Sequence, residues 1–156
     1  MTDVITHSRD IAASPEAVFS RIIDIDGLPS WNERIKDVVR RPATLTEGAA
    51  WTVRVKANGS TWSSDSEVVE LDRANRRFVH RSKRAGNNPS YALWTWTADP
   101  TTTGSKVTVT CELHVKTFFL KHVLVPIRKG PLRREMRASL EKLGELVLAE
   151  QASDTA

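Results

Sequence analysis

The sequence predicts one α+β domain, spanning residues 1–150, in which a curved antiparallel sheet wraps around a long C-terminal helix. In the last part of the chain, apolar residues recur every three or four positions, which places one stripe on a helix. The preceding chain is a series of short alternating segments separated by turn residues, typical of an antiparallel sheet. A long amphipathic helix must bury its stripe, and the concave face of the sheet is the large apolar surface available.

The beginning of the chain predicts one strand and two short helices. Residues 4–12 are expected to form the first strand. Ser14 is placed to cap a helix, and Pro15 occupies the first helical position, where its missing N–H costs nothing. Residues 24–31 (DIDGLPSW) end this helix and begin a second helical turn. These two helices therefore lie between strands 1 and 2.

Six further strands complete an expected seven-stranded sheet. The segment 51–56 has the clearest pattern, because Trp51, Val53 and Val55 alternate with polar residues. Asn58-Gly59 is the strongest hairpin signal, since both residues accept positive φ. The expected strands are 35–41, 51–56, 60–71, 76–83, 91–98 and 106–115.

The segment 60–71 changes phase. Trp62 and Ser64 share one alternation, whereas Val69 and Leu71 fall on the other. A β-bulge between the two halves is therefore expected.

The terminal helix is expected over residues 132–150, followed by a frayed tail at 151–156. Pro126 and Gly130-Pro131 are expected to kink or stop a helix, so residues 118–125 form a separate turn or a kinked first part. The apolar stripe consists of Leu132, Met136, Leu140, Leu143 and Val147.

The composition is that of an ordinary soluble globular domain, with 40% hydrophobic and 27% charged residues among 156. The first ten residues carry charge and no apolar core of a signal peptide, and no stretch is long enough to span a membrane. Cys111 is the sole cysteine and lies in an alternating strand, which predicts a buried, inert thiol. We therefore expect a cytoplasmic protein without integral membrane association.

The net charge of +4 is concentrated in and just before the terminal helix. A basic face there could dock an anionic lipid, a nucleic acid or an acidic partner. The favoured interpretation is a solvated helix face, on which Glu135, Glu141 and Glu145 interleave with basic residues. Burial of Arg133 and Arg137 would exclude the docking interpretation. Aromatic residues do not alternate with the basic ones, so nucleic-acid binding is not expected.

The order of elements is a helix-grip arrangement, and particular residues sharpen the match. The segment 11–19 (IAASPEAVF), followed by Asp24 and Trp31, resembles the opening of the polyketide cyclase/dehydrase and lipid-transport superfamily (START-like, Bet v 1-like, SRPBCC). The segments 70–78 and 104–109 and the terminal helix are also similar. The resemblance implies a cavity between sheet and helix that holds a lipid, sterol, polyketide or aromatic compound. It implies no shared catalytic motif.

The tryptophans are the main candidates for contacts with such a ligand, because five of them can supply flat walls and N–H donors. Trp31 either lines the mouth of the cavity or fills the base of the sheet. The sequence leaves open which strand face is concave. The expected ligand-binding residues are Trp31, Trp51, Val53, Trp62, Ser64, Phe78, His80, Trp94, Trp96, Val123, Met136 and Leu140.

Catalytic signals are few. The four histidines are scattered without metal-ligand spacing, no phosphate-binding glycine loop is present, and no cofactor is expected. His80 shares a strand face with Phe78, so it is either a cavity acid or base or, as favoured here, a polar residue at the rim or bonded to a neighbouring strand. An enzyme would need Asp65, His80 and Tyr91 to converge. We therefore expect a carrier or binding protein for a small hydrophobic molecule, with a polyketide cyclase or dehydratase as the alternative and the oligomeric state open.

Overall fold

The structure is a computed structural model that describes residues 3–57, 59–84, 89–115 and 125–154, with side chains of the last segment described from Lys129. Two α-helices and seven strands are present in these ranges. In chain order the elements are β1 (Asp3–Ile11), α1 (Pro15–Ile22), a 3-10 helix (Leu28–Ser30), β2 (Ile35–Arg40), β3 (Ala50–Ala57), β4 (Ser60–Asp72), β5 (Arg77–Arg84), β6 (Tyr91–Thr101), β7 (Gly104–His114) and α2 (Val125–Asp154).

The strands form one antiparallel sheet in the order β1-β7-β6-β5-β4-β3-β2. Helix α2 packs against the sheet with its apolar stripe fully covered, since the five stripe residues are at most 4% exposed. This arrangement confirms the predicted curved sheet around a long C-terminal helix.

Helix α1 begins as its sequence predicts. The Ser14 hydroxyl accepts a hydrogen bond from the backbone N–H of Ala17 at 3.1 Å, and Pro15 occupies the first turn. Val18 and Phe19 are buried on the inner face of the helix. The helix is therefore anchored under the sheet by its own cap and its apolar face.

The phase change in β4 is a β-bulge, as predicted. The pairing with β5 shifts register between Val68 and Glu70. Val68 is buried, Val69 is exposed, and Leu71 packs against the core. The extra residue therefore turns to solvent and lets both halves of the strand direct side chains inward.

Helix α2 differs from its predicted bounds at both ends. It continues through Pro131, where a helix stop or kink was expected, and it reaches Asp154, so the first four residues of the expected tail are helical. Proline removes one helical hydrogen bond, and burial of Leu132 and Met136 just beyond it offsets that loss. Asn58 of the expected hairpin lies outside the described residues, as do residues 116–124.

Candidate ligand-binding cavity

A cavity of about 520 Å³ lies between the concave face of the sheet and α2. The strand register decides which alternation faces it. Phe78 lies opposite Trp96, and His80 lies opposite Trp94, so these four side chains form two adjacent rows of the inner wall. Trp51 continues the wall on β3 and stacks on Phe78 with ring centroids 6.0 Å apart.

Most of the expected ligand-contacting residues border this cavity. Leu140 does not: its side chain is fully buried in the core between α2 and the sheet, so its expected place in the cavity is corrected. Val123 lies outside the described residues. The expected residues that line the cavity are Trp31, Trp51, Val53, Trp62, Ser64, Phe78, His80, Trp94, Trp96 and Met136.

Trp31 closes one end of the cavity rather than lining an open mouth. Its side chain is 1% exposed and meets Trp96 edge to face, with centroids 5.4 Å apart. Ile22 and Leu28 line the same end. The Trp31 indole N–H is buried without a hydrogen-bond partner among the described residues. Trp31 is therefore both a core residue and part of the cavity wall.

His80 faces the cavity as part of an aromatic cluster. Its ring lies 5.2 Å from both Trp51 and Phe78, measured between centroids. Trp96 Nε1 donates a hydrogen bond to His80 Nε2 at 3.2 Å, and burial lowers the pKa of His80 to about 3. The imidazole is neutral at neutral pH, and its lone pair is already engaged. This geometry suits a bonded wall residue better than a base.

Asp65 and Tyr91 do not converge on His80. Asp65 alternates with the inward residues of β4 and accepts a hydrogen bond from Thr52 Oγ1 at 2.7 Å. Tyr91 reaches the rim of the cavity, but its ring stacks on His114 with centroids 4.6 Å apart. The three candidates for acid–base chemistry are therefore not brought into one site.

The structure instead places an ion pair in the cavity wall that was not among the expected site residues. Arg34 Nε lies 3.4 Å from Glu135 Oε2, and the two side chains are 26% and 19% exposed. Burial raises the pKa of Glu135, while the positive charge of Arg34 opposes that rise. Glu135 therefore lies in the cavity wall and not on the solvated face of the helix, where it was expected.

A sequence signal for Glu135 exists, although it is weak. Glu135 stands three positions after Leu132 and four before Ser139, and both of these residues are buried. That spacing places it at the edge of the inward face of α2. Arg34 carries no comparable signal, because it lies in the irregular segment before β2.

Backbone contacts hold the segment 32–34 between α2 and the sheet. The N–H of Arg34 donates to Asn32 Oδ1 at 3.1 Å, and the N–H of Glu33 donates to Ser139 Oγ on α2 at 2.9 Å. The N–H of Lys56 on β3 donates to the Arg34 carbonyl at 2.8 Å. This segment, called the clasp below, therefore fixes Arg34 relative to both layers.

The basic face of α2 is partly neutralised. Lys129 pairs with Asp3 at 2.7 Å, and Lys142 pairs with Glu33 of the clasp. Arg133 and Arg137 are exposed, so the condition that would exclude a docking role is not met. No helix in the described ranges has the length and apolar character needed to cross a membrane.

A family profile and several solved structures match this chain. The profile of the family described as "Polyketide cyclase / dehydrase and lipid transport" matches residues 2–147. No curated protein matches the chain.

Several solved structures share the fold at low sequence identity. TTHA0849 from Thermus thermophilus has a TM-score of 0.74 at 20% identity, covering 95% of this chain and 99% of that one. The Zhui aromatase/cyclase from Streptomyces sp. R1128 has a TM-score of 0.74 at 15% identity, covering 94% of both chains. A norcoclaurine synthase point mutant from Thalictrum flavum has a TM-score of 0.70 at 21% identity, covering 97% of both. By its sequence profile and its helix-grip fold, this chain belongs to the polyketide cyclase/dehydrase and lipid-transport family.

Proposed function

We propose that the protein is a carrier or binding protein that holds one small hydrophobic molecule between the sheet and α2. The observation that carries the proposal is the cavity of about 520 Å³ walled by tryptophan rings. That volume lies within the range typical of small-molecule sites. A cytoplasmic location is part of the proposal, supported by the sole cysteine, Cys111, which is buried.

The wall chemistry favours a flat or acyl ligand with a few polar atoms. Trp51 and Trp94 supply broad apolar surfaces, and indole rings stack well on planar ligands. Ser64 and Ser66 form a small polar strip on β4 that also borders the cavity. A mainly apolar pocket with a few placed polar groups is the usual form of a site that binds and orients one ligand.

A carrier role is favoured over an enzymatic one because the acid–base candidates on the strands either have no free lone pair or lie apart from one another. His80 has its lone pair engaged by Trp96, and a base needs a free lone pair and a pKa near the working pH. Asp65 is held by Thr52 on the other strand face. The cavity therefore lacks the three-residue constellation that the enzyme alternative required.

A polyketide cyclase or dehydratase remains the second candidate function, and one observation favours it. Glu135 and Arg34 place a carboxylate with a raised pKa next to a cation in the same cavity. Such a pair can remove a proton and stabilise the oxyanion that results. The family description and the fold shared with an aromatase/cyclase support the same candidate.

Native mass spectrometry of the freshly purified protein, followed by organic extraction, tests the carrier proposal. We expect a co-purifying lipid or aromatic compound in a one-to-one complex. Ser66→Leu fills part of the cavity and should reduce ligand occupancy several-fold. Ser63→Leu is the matched control, because Ser63 alternates with the inward residues of β4 and does not line the cavity.

Two results would count against the proposal that the protein carries a ligand in this cavity. Equal occupancy in Ser66→Leu and Ser63→Leu would mean that the ligand lies elsewhere. If a compound extracted from Glu135→Gln is converted to a new mass by the wild-type protein but not by the variant, the enzyme candidate is favoured instead.

A further inference from the structure

We infer that the ligand carries an acidic oxygen group on an apolar body, and that Arg34 binds this group in exchange for Glu135. The inference rests on the proposed function and deepens it by naming the ligand class. It concerns the Arg34–Glu135 pair, which lies in the wall of a mainly apolar cavity.

The pair is poorly explained as a device for stability. Removing two charges from water is unfavourable, and a largely buried pair often stabilises a fold no better than apolar side chains of similar size. The contact is also long, with 3.4 Å between Arg34 Nε and Glu135 Oε2. In the described part of the chain, no other carboxylate lies within 4.0 Å of the Arg34 guanidinium. Five N–H donors are thus shared with a single carboxylate partner.

Arg34 is held ready for a ligand by its surroundings. The clasp fixes its backbone through Asn32, Ser139 and Lys56. The guanidinium carbon lies 5.9 Å from the centroid of the Trp94 ring, which gives the side chain a flat support. A planar guanidinium binds carboxylates in a two-pronged geometry, and fixing it beforehand lowers the entropy lost on binding.

The apolar part of such a ligand has a surface directly beside Arg34. Trp94 lines the cavity and donates its indole N–H to Ser82 Oγ at 3.0 Å, so the ring orientation is fixed. An aromatic ligand that packs against Trp94 beside the guanidinium would bring an attached acidic oxygen within reach of Arg34. The cation and the stacking surface therefore define one amphipathic subsite.

When the ligand's acidic group replaces Glu135 as the partner of Arg34, the net charge of the site stays unchanged if Glu135 takes up a proton. An anionic ligand that pairs with Arg34 leaves the Glu135 carboxylate without its cation in a half-buried position. Glu33 of the clasp adds a repelling negative charge, and Arg134 on α2 adds an attracting positive one. Lys83 and Arg84 also line the cavity. Burial raises the pKa of Glu135 and Arg34 opposes that rise, so losing Arg34 to the ligand raises this pKa further and favours uptake of a proton on binding.

Paired probes of equal size test the inference. We would titrate the protein with 2-naphthoate and with 2-naphthamide and follow tryptophan fluorescence and heat release. Wild-type protein should bind the acid at least about tenfold more tightly than the amide. Naphthol, measured below and above its ionisation, distinguishes a carboxylate preference from a preference for any aromatic oxyanion.

Three variants isolate the roles of the pair. Arg34→Gln should abolish the preference for the acid and keep amide binding within about twofold, which also shows that the variant is folded. Glu135→Gln should bind the acid several-fold more tightly and lose the proton uptake, because the competing carboxylate is gone. Arg54→Gln is the matched control, since Arg54 pairs with Asp37 and does not line the cavity.

The inference is overturned if wild type binds acid and amide equally, or if Arg34→Gln retains the preference. In both cases, if the protein still binds the amide, it binds a small hydrophobic molecule, and the proposed function stands. If neither probe binds to the wild-type cavity, the proposed function and the inference fail together.

Discussion

The indole N–H of Trp96 donates to Nε2 of His80 across 3.2 Å, between side chains on neighbouring strands. An indole nitrogen can only donate, so Nε2 carries no proton and the neutral ring holds its proton on Nδ1. His80 Nδ1 is buried and has no partner among the described residues. His80, the strongest acid–base candidate in the sequence, is thus a neutral side chain of the cavity wall.

Acidification should destabilise the protein through His80. Its pKa is about 3 in the folded state, against 6.5 for an unperturbed histidine, so the unfolded chain binds the proton first. The contribution to stability is complete above pH 6.5 and is lost as the pH falls towards 3, by about 1 kcal/mol for each pH unit. Urea unfolding between pH 7 and 4 should therefore show a shallower decline in His80→Gln than in wild type.

His7→Gln is the matched control for this measurement, because His7 on β1 does not line the cavity. Equal pH slopes for wild type and His80→Gln would contradict the prediction.

Gly104→Ala should destabilise the fold more than Gly48→Ala. Both glycines have positive φ, +152° and +86°, which costs alanine about 1 kcal/mol. A Cβ on Gly104 would also lie 2.3 Å from the Ile11 carbonyl oxygen, whereas one on Gly48 meets no atom within 4 Å. We expect a loss of about 3 kcal/mol for Gly104→Ala and about 1 kcal/mol for Gly48→Ala, measured by urea unfolding. Similar losses of stability in the two variants would show that the backbone at Ile11 moves to accommodate a Cβ on Gly104.

Cys111 should resist thiol reagents in the native state. Its side chain is fully buried, and burial raises its pKa to about 12, so almost no thiolate forms near neutral pH. Labelling with a disulfide reagent should therefore proceed only through unfolding and accelerate with urea in step with the unfolded fraction. A native labelling rate close to that of a free thiol peptide would contradict this prediction.

Ser139→Ala should loosen the clasp. The Ser139 hydroxyl accepts the N–H of Glu33 at 2.9 Å, and its loss leaves that N–H without its partner on α2. We expect a cost of about 1 kcal/mol and faster hydrogen exchange at the Glu33 amide. Ser153→Ala, at an exposed position of the same helix, is the control. Unchanged exchange at Glu33 would show that Lys56 and Asn32 suffice to hold the segment.

The elements that could be predicted are those with a local signal. Ser14-Pro15 specifies a helix start by its own hydrogen-bonding chemistry, and the alternation from Trp51 to Val55 specifies a half-buried strand. The phase change after Ser66 required a bulge, and one is present between Val68 and Glu70. In each case the neighbours in sequence determine the outcome.

The ion pair could not be predicted because it depends on two long-range choices. One is the rotation of α2 about its axis, which turns Glu135 into the cavity and Leu140 into the core. The other is the path of the clasp, which Ser139 and Lys56 determine from distant parts of the chain. Hydrophobic periodicity identifies the buried face of a helix only to within about one residue on either side.

The sheet order imposes a sequence of events on synthesis of the chain. Among the strands that the structure describes, β7 is the one partner of β1. The side chains of Thr6 and Thr110, which contact each other across that pair, are 104 positions apart. During synthesis of this domain, β1 therefore has no partner strand until β7 has been translated. Such long-range closure slows folding and exposes an unpaired edge in the nascent chain.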